Sequence, residues 1–246
     1  FGKILRGKVV PNTVTKTLHT DKVYEPDLNS FTIEPFPYYS PLKSQIETIK
    51  SFDRPVILVD DLVHTANRLQ VLVPQLREDG IPIKKVVVGV LSGYGRDLMQ
   101  CLKVPVESIY SMPNLRQWFV ESTLYPFIGG DTVRREEMKV AGLQPSINMI
   151  LPYATPRLSG CSREALVEFS ACCIENSRDL FQVLEAEYRK MYAKNLTLSR
   201  LSEAVILPLC PDKGSCMEYD ENLAASVYLE NDLETLWRMK EFLIKG

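Results

Sequence analysis

Residues 55–61 read Pro-Val-Ile-Leu-Val-Asp-Asp, a continuous apolar run rich in β-branched residues that stops abruptly at two acids. A run of this length, with a proline before it and charges after it, suits a strand covered on both faces inside a parallel sheet. A parallel neighbour needs a crossover, and the next segment supplies one. A helix is predicted over residues 65–79, with Leu69, Leu72, Val73 and Leu76 on one face and Gly80 ending it. Residues 85–91 form a second predicted buried strand, residues 93–101 a short helix and residues 106–110 a third strand. Strand–helix–strand–helix–strand is the pattern of an α/β domain with a parallel sheet and right-handed crossovers.

The flanking regions are less regular. Residues 14–23 and 31–33 are candidate strands, punctuated by Pro26, Pro35, Pro37 and Pro41, and Ser40 is placed to cap a helix over 41–52 through Leu42, Ile46 and Ile49. Beyond residue 111 a helix is predicted over 115–122, turns over 125–131 and a short strand over 149–151. Ser162 then caps a long helix to about residue 194. Its predicted stripe is Leu166, Phe169, Cys173, Leu180, Leu184, Tyr188 and Met191. That stripe reads as core packing, with a homodimer or partner-domain interface as the alternative. A last helix over 222–243 has Leu229, Leu233, Leu236 and Leu243 as its apolar face. A chain of 246 residues accommodates this as an α/β core over 1–160 and a helical C-terminal extension over 161–246 packed on it.

Composition narrows the function classes. Lys+Arg is 29 against Asp+Glu 31, a net charge of −2, without the basic excess of a nucleic-acid protein. No apolar run approaches the ~18 residues of a membrane helix, and no leader peptide is recognisable. The first residue is Phe1 rather than Met, which suggests part of a longer chain, with an N-terminal signal or a further domain as what preceded it. None of the six cysteines sits in a C-x-x-C pair, and His19 and His64 are the only histidines. That spacing argues against zinc and for reduced thiols in a cytoplasmic protein.

The chemistry concentrates at residues 56–69. A buried strand delivers Asp60 and Asp61 to its carboxyl end, where open α/β sheets bind ligands. A short loop and a helix start follow, with outward N–H groups and the positive end of the macrodipole. Thr65, Asn67 and Arg68 add side-chain donors. Two carboxylates beside an anion cradle suit a phosphorylated sugar, the acids taking hydroxyls or a metal and the loop taking phosphate. Gly93-Tyr94-Gly95 after the second strand reads as a plain turn, and Gly129-Gly130-Asp131 with Arg134 and Arg135 as a charged surface turn.

Residues 56–69 (Val-Ile-Leu-Val-Asp-Asp-Leu-Val-His-Thr-Ala-Asn-Arg-Leu) resemble the phosphoribosyl-pyrophosphate (PRPP) motif of the type I phosphoribosyltransferases. The likeness extends loosely, through strand–helix order, to about residue 110. It implies a type I phosphoribosyltransferase-like parallel-sheet core that binds PRPP with Mg²⁺ and transfers ribosyl 5-phosphate to a nitrogenous base. Carried over, Asp60 and Asp61 face the ribose and share the metal, while His64, Thr65, Ala66, Asn67 and Arg68 surround the 5′-phosphate. Ala66 stands where glycine is commonest in the family. Alanine there, and Val90-Leu91-Ser92-Gly93 downstream, are similar to PRPP synthetases. Arg68 replaces a small hydroxyl residue. His64 occupies a position that purine-salvage members often fill with an aspartate near the base, which implies a general acid/base role; a histidine simply hydrogen-bonded to the loop is the alternative. A non-catalytic PRPP- or nucleotide-sensing domain of a larger protein and a PRPP-synthetase relative are the alternatives.

Overall fold

The computed structural model describes residues 16–116, 118–135, 140, 142–156, 158, 160–213 and 218–245, with 243–245 described by backbone alone. Val14, Thr15, Cys216 and the Leu243 side chain lie outside the described residues. The protein is α/β, and its chain divides into two compact units. One comprises the residues up to Asp21 with Ile33–Trp118; the other comprises Lys22–Thr32 with Phe119–Gly246. The boundary expected at residue 160 does not coincide with this division, which falls near 118 and assigns residues 22–32 to the later unit.

Two short strands, β1 (Thr20–Tyr24) and β2 (Phe31–Pro35), straddle the division. Helix α1 (Leu42–Lys50) follows, with Pro41 rather than Ser40 at its cap position and no side-chain cap. The side chain of Gln45 ties the incoming chain down instead. Its amide donates to the carbonyls of Ser40 and His19 at 2.7 and 3.1 Å, and its oxygen accepts from His19 N–H at 2.8 Å.

The first unit is then built on β3 (Val56–Val63), α2 (Asn67–Glu78), β4 (Ile83–Ser92), α3 (Gly93–Cys101) and β5 (Val106–Met112). The three strands are parallel in the order β3-β4-β5, with Asp60 opposite Val88 and Val88 opposite Ser108. Leu69 and Val73 of α2 and Met99 of α3 join Val63, Val86, Val88 and Leu91 in one apolar cluster. Ile46 and Ile49 of α1 pack with Leu76 and Ile81 in another. The expectation that β3 is covered on both faces is corrected here. Burial alternates along it, and Ile57 and Val59 are 47% and 57% exposed, as is Ile109 of β5 at 75%. A continuous apolar run makes both faces of a strand apolar; whether both are covered depends on where the helices go, and α2 and α3 pack into the same cluster.

The second unit contains β6 (Asp131–Val133), β7 (Gln144–Ile147), α4 (Arg163–Tyr192), β8 (Leu209–Pro211) and α5 (Ala225–Lys245). Its mixed sheet runs β2-β1-β6-β7-β8, with β1 parallel to β6, β6 antiparallel to β7, and β7 parallel to β8. The helix expected over 115–122 is absent from the described residues there, which hold only a 3₁₀ turn at Glu121–Leu124. Phe119 and Val120 are exposed and give such a helix no face to bury. The strand expected over 149–151 is a turn closed by Ala154 N–H on Ile150 O, just before Pro152, which cannot donate to a ladder. Ser162 caps α4 as expected, accepting from Ala165 N–H at 3.1 Å. The buried stripe of α4 is Val167, Ala171, Cys173, Ile174, Phe181 and Tyr188, with Ser170 and Ser177 between them, and α4 packs against α5 through a core that includes Leu229, Leu233 and Leu236. Leu180 and Met191, expected in that stripe, are 44% and 67% exposed. Among the described residues no helix is long and apolar enough to cross a membrane.

Candidate functional site

Strand β3 does not stop at the acids. It runs on to Val63, which pairs with Leu91, so Asp60 and Asp61 lie just inside the carboxyl end of the strand. Asp60 is half-buried and Asp61 exposed. Asp61 N–H donates to Asp60 Oδ1 at 3.0 Å and Leu62 N–H to Asp61 Oδ1 at 2.8 Å. Burial pushes the Asp60 carboxyl above its ordinary range. The Asp61 N–H opposes this, the Asp61 carboxyl beside it adds to it, and the positive charge of Arg68 draws it back. The structure thus brings both acids and the Arg68 charge into one electrostatic neighbourhood. Neighbouring like charges are eased by a cation or by sugar hydroxyls, and carboxylate oxygen is the donor chemistry Mg²⁺ takes when it keeps part of its water shell.

Behind the acids the strands are close-packed. A side chain at Gly89 would place its Cβ 2.8 Å from Asp61 O, and one at Gly95 would place it 2.2 Å from Val63 O. Gly95 lies in the first turn of α3, so this glycine lets a helix start press against the end of β3. The Gly-x-Gly at 93–95 therefore serves packing.

Helix α2 begins at Asn67, two residues later than expected. Ala66 occupies its cap position in the left-handed conformation, φ 51° and ψ 24°. That conformation is costly for any residue with a Cβ and costs glycine nothing, which is the physical reason a glycine suits this place in the motif. No side chain caps α2, and the first helical bond runs from Gln70 N–H to Ala66 O at 2.9 Å. The amides of the first turn, from Asn67 to Leu69, therefore present the anion-binding end of the helix. Thr65 and Arg68 are exposed and Asn67 half-buried. The Thr65 carbonyl is engaged by Gln70 Nε2 at 2.8 Å.

His64, half-buried at the end of β3, has its Nδ1 2.8 Å from Ser92 Oγ, and its ring meets Tyr94 edge to face at 6.0 Å. Ser92 sits at the end of β4 and also accepts from Gly95 N–H at 2.9 Å, capping α3. Sequence reasoning placed Ser92 in a likeness to PRPP synthetases but missed its link to His64. The available signal was a serine directly before a predicted helix, at the end of the strand that neighbours β3.

The other charged turn is occupied by its own unit. Lys22 lies 3.7 Å from Asp131, Arg134 pairs with Glu25, and Arg135 Nε donates to the buried Asp212 at 2.7 Å. Among the described residues no three His, Cys, Asp or Glu side chains are grouped to hold a metal on their own. No family model, curated protein or solved structure matches the chain.

Proposed function

We propose that this chain is a type I phosphoribosyltransferase-like protein. It binds PRPP with Mg²⁺ at the carboxyl edge of β3 and β4 and transfers ribosyl 5-phosphate to a nitrogen of a base, releasing pyrophosphate. The observation that carries this reading is the adjacency of the Asp60–Asp61 pair at the end of β3 to a left-handed Ala66 and a helix start with no side-chain cap. The ligand that matches both halves has hydroxyls and an anionic phosphate a short distance apart. Asp60 and Asp61 take the ribose hydroxyls and share the cation with ligand oxygens. The 64–68 loop takes the 5′-phosphate, with Thr65 and Asn67 adding donors and Arg68 adding charge. When bound, Mg²⁺ supplies charge neutralisation to the departing pyrophosphate. The protein's own share is positioning and electrostatic complementarity at an electron-poor C1′. Such a metabolic role suits a cytoplasmic protein.

A second reading, a non-catalytic PRPP-sensing module, is favoured by the engagement of His64 with a buried serine, which ties one ring nitrogen into the fold. Calorimetry with Mg²⁺–PRPP, followed by a pyrophosphate-release assay over a panel of purine and pyrimidine bases, separates the two. Binding that disappears in the Asp60→Asn/Asp61→Asn double variant, with base-dependent pyrophosphate release, is the expected result. Binding without release at any pH selects the sensor, and no binding at all overturns both readings.

A further inference from the structure

We infer that Ser92 is a positioning residue that sets the tautomer of His64, presenting its Nε2–H as a fixed hydrogen-bond donor to a phosphate or pyrophosphate oxygen of the ligand. This rests on the phosphoribosyl reading above for the identity of the anion, and on hydrogen-bond accounting for the rest.

Ser92 is 1% exposed. Its Oγ accepts from Gly95 N–H at 2.9 Å, which uses one lone pair and leaves the hydroxyl proton to be placed. A buried hydroxyl proton needs an acceptor, and His64 Nδ1 stands 2.8 Å away. When the hydroxyl donates to Nδ1, that nitrogen carries no proton, and the neutral ring holds its proton on Nε2. Nε2 has no protein partner among the described residues, and the ring's other neighbour is the edge-on Tyr94. His64 also opens the loop that leads into the uncapped start of α2. Its Nε2–H therefore adds one side-chain donor to the backbone amides of that turn. In this arrangement His64 moves no proton. Nδ1 is occupied, Nε2 is already protonated, and the ring's contribution is a directed donor. The acid/base role suggested by the family likeness gives way to an electrostatic one.

Only two histidines are present, so a long-range ¹H–¹⁵N correlation spectrum of the full chain, assigned with His64→Gln, reads the tautomer directly and without ligand. The expected spectrum of the wild type, at a pH where the ring is neutral, is the Nε2–H form. Ser92→Ala should give a mixture of tautomers, and Ser92→Thr, which keeps the hydroxyl, should restore the single form. Loss of the α3 cap alone would leave the tautomer where it was. Mg²⁺–PRPP should then bind about tenfold more weakly to Ser92→Ala than to wild type, with Ser92→Thr close to wild type. An Nδ1–H tautomer in the wild type overturns the inference even if Ser92→Ala does not fold. Equal PRPP affinity in wild type and a folded Ser92→Ala overturns it as well. Absence of PRPP binding in every form overturns the phosphoribosyl reading and the ligand half of this inference together. It is told apart from the other failures because the tautomer is read on the free protein.

Discussion

The fold penalises the ionised form of Asp60. Burial raises its carboxyl first, and the Asp61 carboxyl beside it adds to the effect. The folded chain therefore binds this proton more tightly than the unfolded chain, in which an Asp titrates near ~3.9. A group raised in the native state favours folding below the unfolded value, and that advantage is lost as pH rises through the raised native value. Above the raised native value both states are ionised and the full penalty is present. Asp60→Asn removes the charge and keeps an acceptor for Asp61 N–H. Its melting temperature should exceed that of wild type at pH 7, and the two curves should converge toward pH 3. A variant that melts lower at pH 7 would mean that the carboxylate earns more from its surroundings than burial removes. The same residue illustrates what was readable beforehand. That two acids sit together was plain in the sequence. That one is half-buried and the other exposed follows from both lying inside β3, which outruns the apolar run by four residues.

At the level of elements, α4 separates what periodicity reveals from what it leaves open. Leu180 and Phe181 are adjacent and both apolar, so an apolar count admits either to the stripe. The fold buries Phe181 completely, edge to face with Phe127 at 6.0 Å, and leaves Leu180 in solvent. The stripe is turned because Ser170, Ala171 and Ser177 also belong to it. Small and hydroxyl side chains mark close helix packing, yet they carry no hydrophobic signal. Phe181→Ala should cost about 3–5 kcal/mol, whereas Leu180→Ala should stay within about 0.5 kcal/mol. Denaturant titration of the two variants measures both, and a larger loss from Leu180→Ala would refute the packing described. The β3–α2–β4–α3–β5 series was legible because each element is local and strongly patterned, and α3 matches its predicted bounds. The mixed sheet of the second unit was not. Its β6 and β8 strands are three residues each, and β1 pairs with β6 through Val23 and Thr132, contacts that no local pattern encodes. The Ser92–His64 link was missed for the same reason, since it joins the ends of two strands separated by a helix.

Across the whole molecule, the two units carry separate apolar cores. Val63, Val73, Val86, Val88 and Met99 anchor one, while Phe127, Ile174, Phe181, Leu229 and Leu236 anchor the other. A ligand stabilises by mass action whatever opens less often when it is bound, by about 2.7 kcal/mol at a hundredfold excess over Kd. If each core opens as its own cooperative unit, Mg²⁺–PRPP should deepen protection only in the unit that holds its site. Hydrogen exchange followed by mass spectrometry resolves this peptide by peptide. Saturating Mg²⁺–PRPP is expected to slow exchange in peptides from β3, α2 and β4, including the Asn67–Leu69 amides proposed to take the phosphate, and to leave α4 and α5 unchanged. Slowing of equal size in α4 and α5 would show that the two cores open together, so that binding at the β3 edge is felt throughout the chain. Slowing confined to α4 and α5 would move the ligand to the second unit and remove the acids and the 64–68 loop from the site.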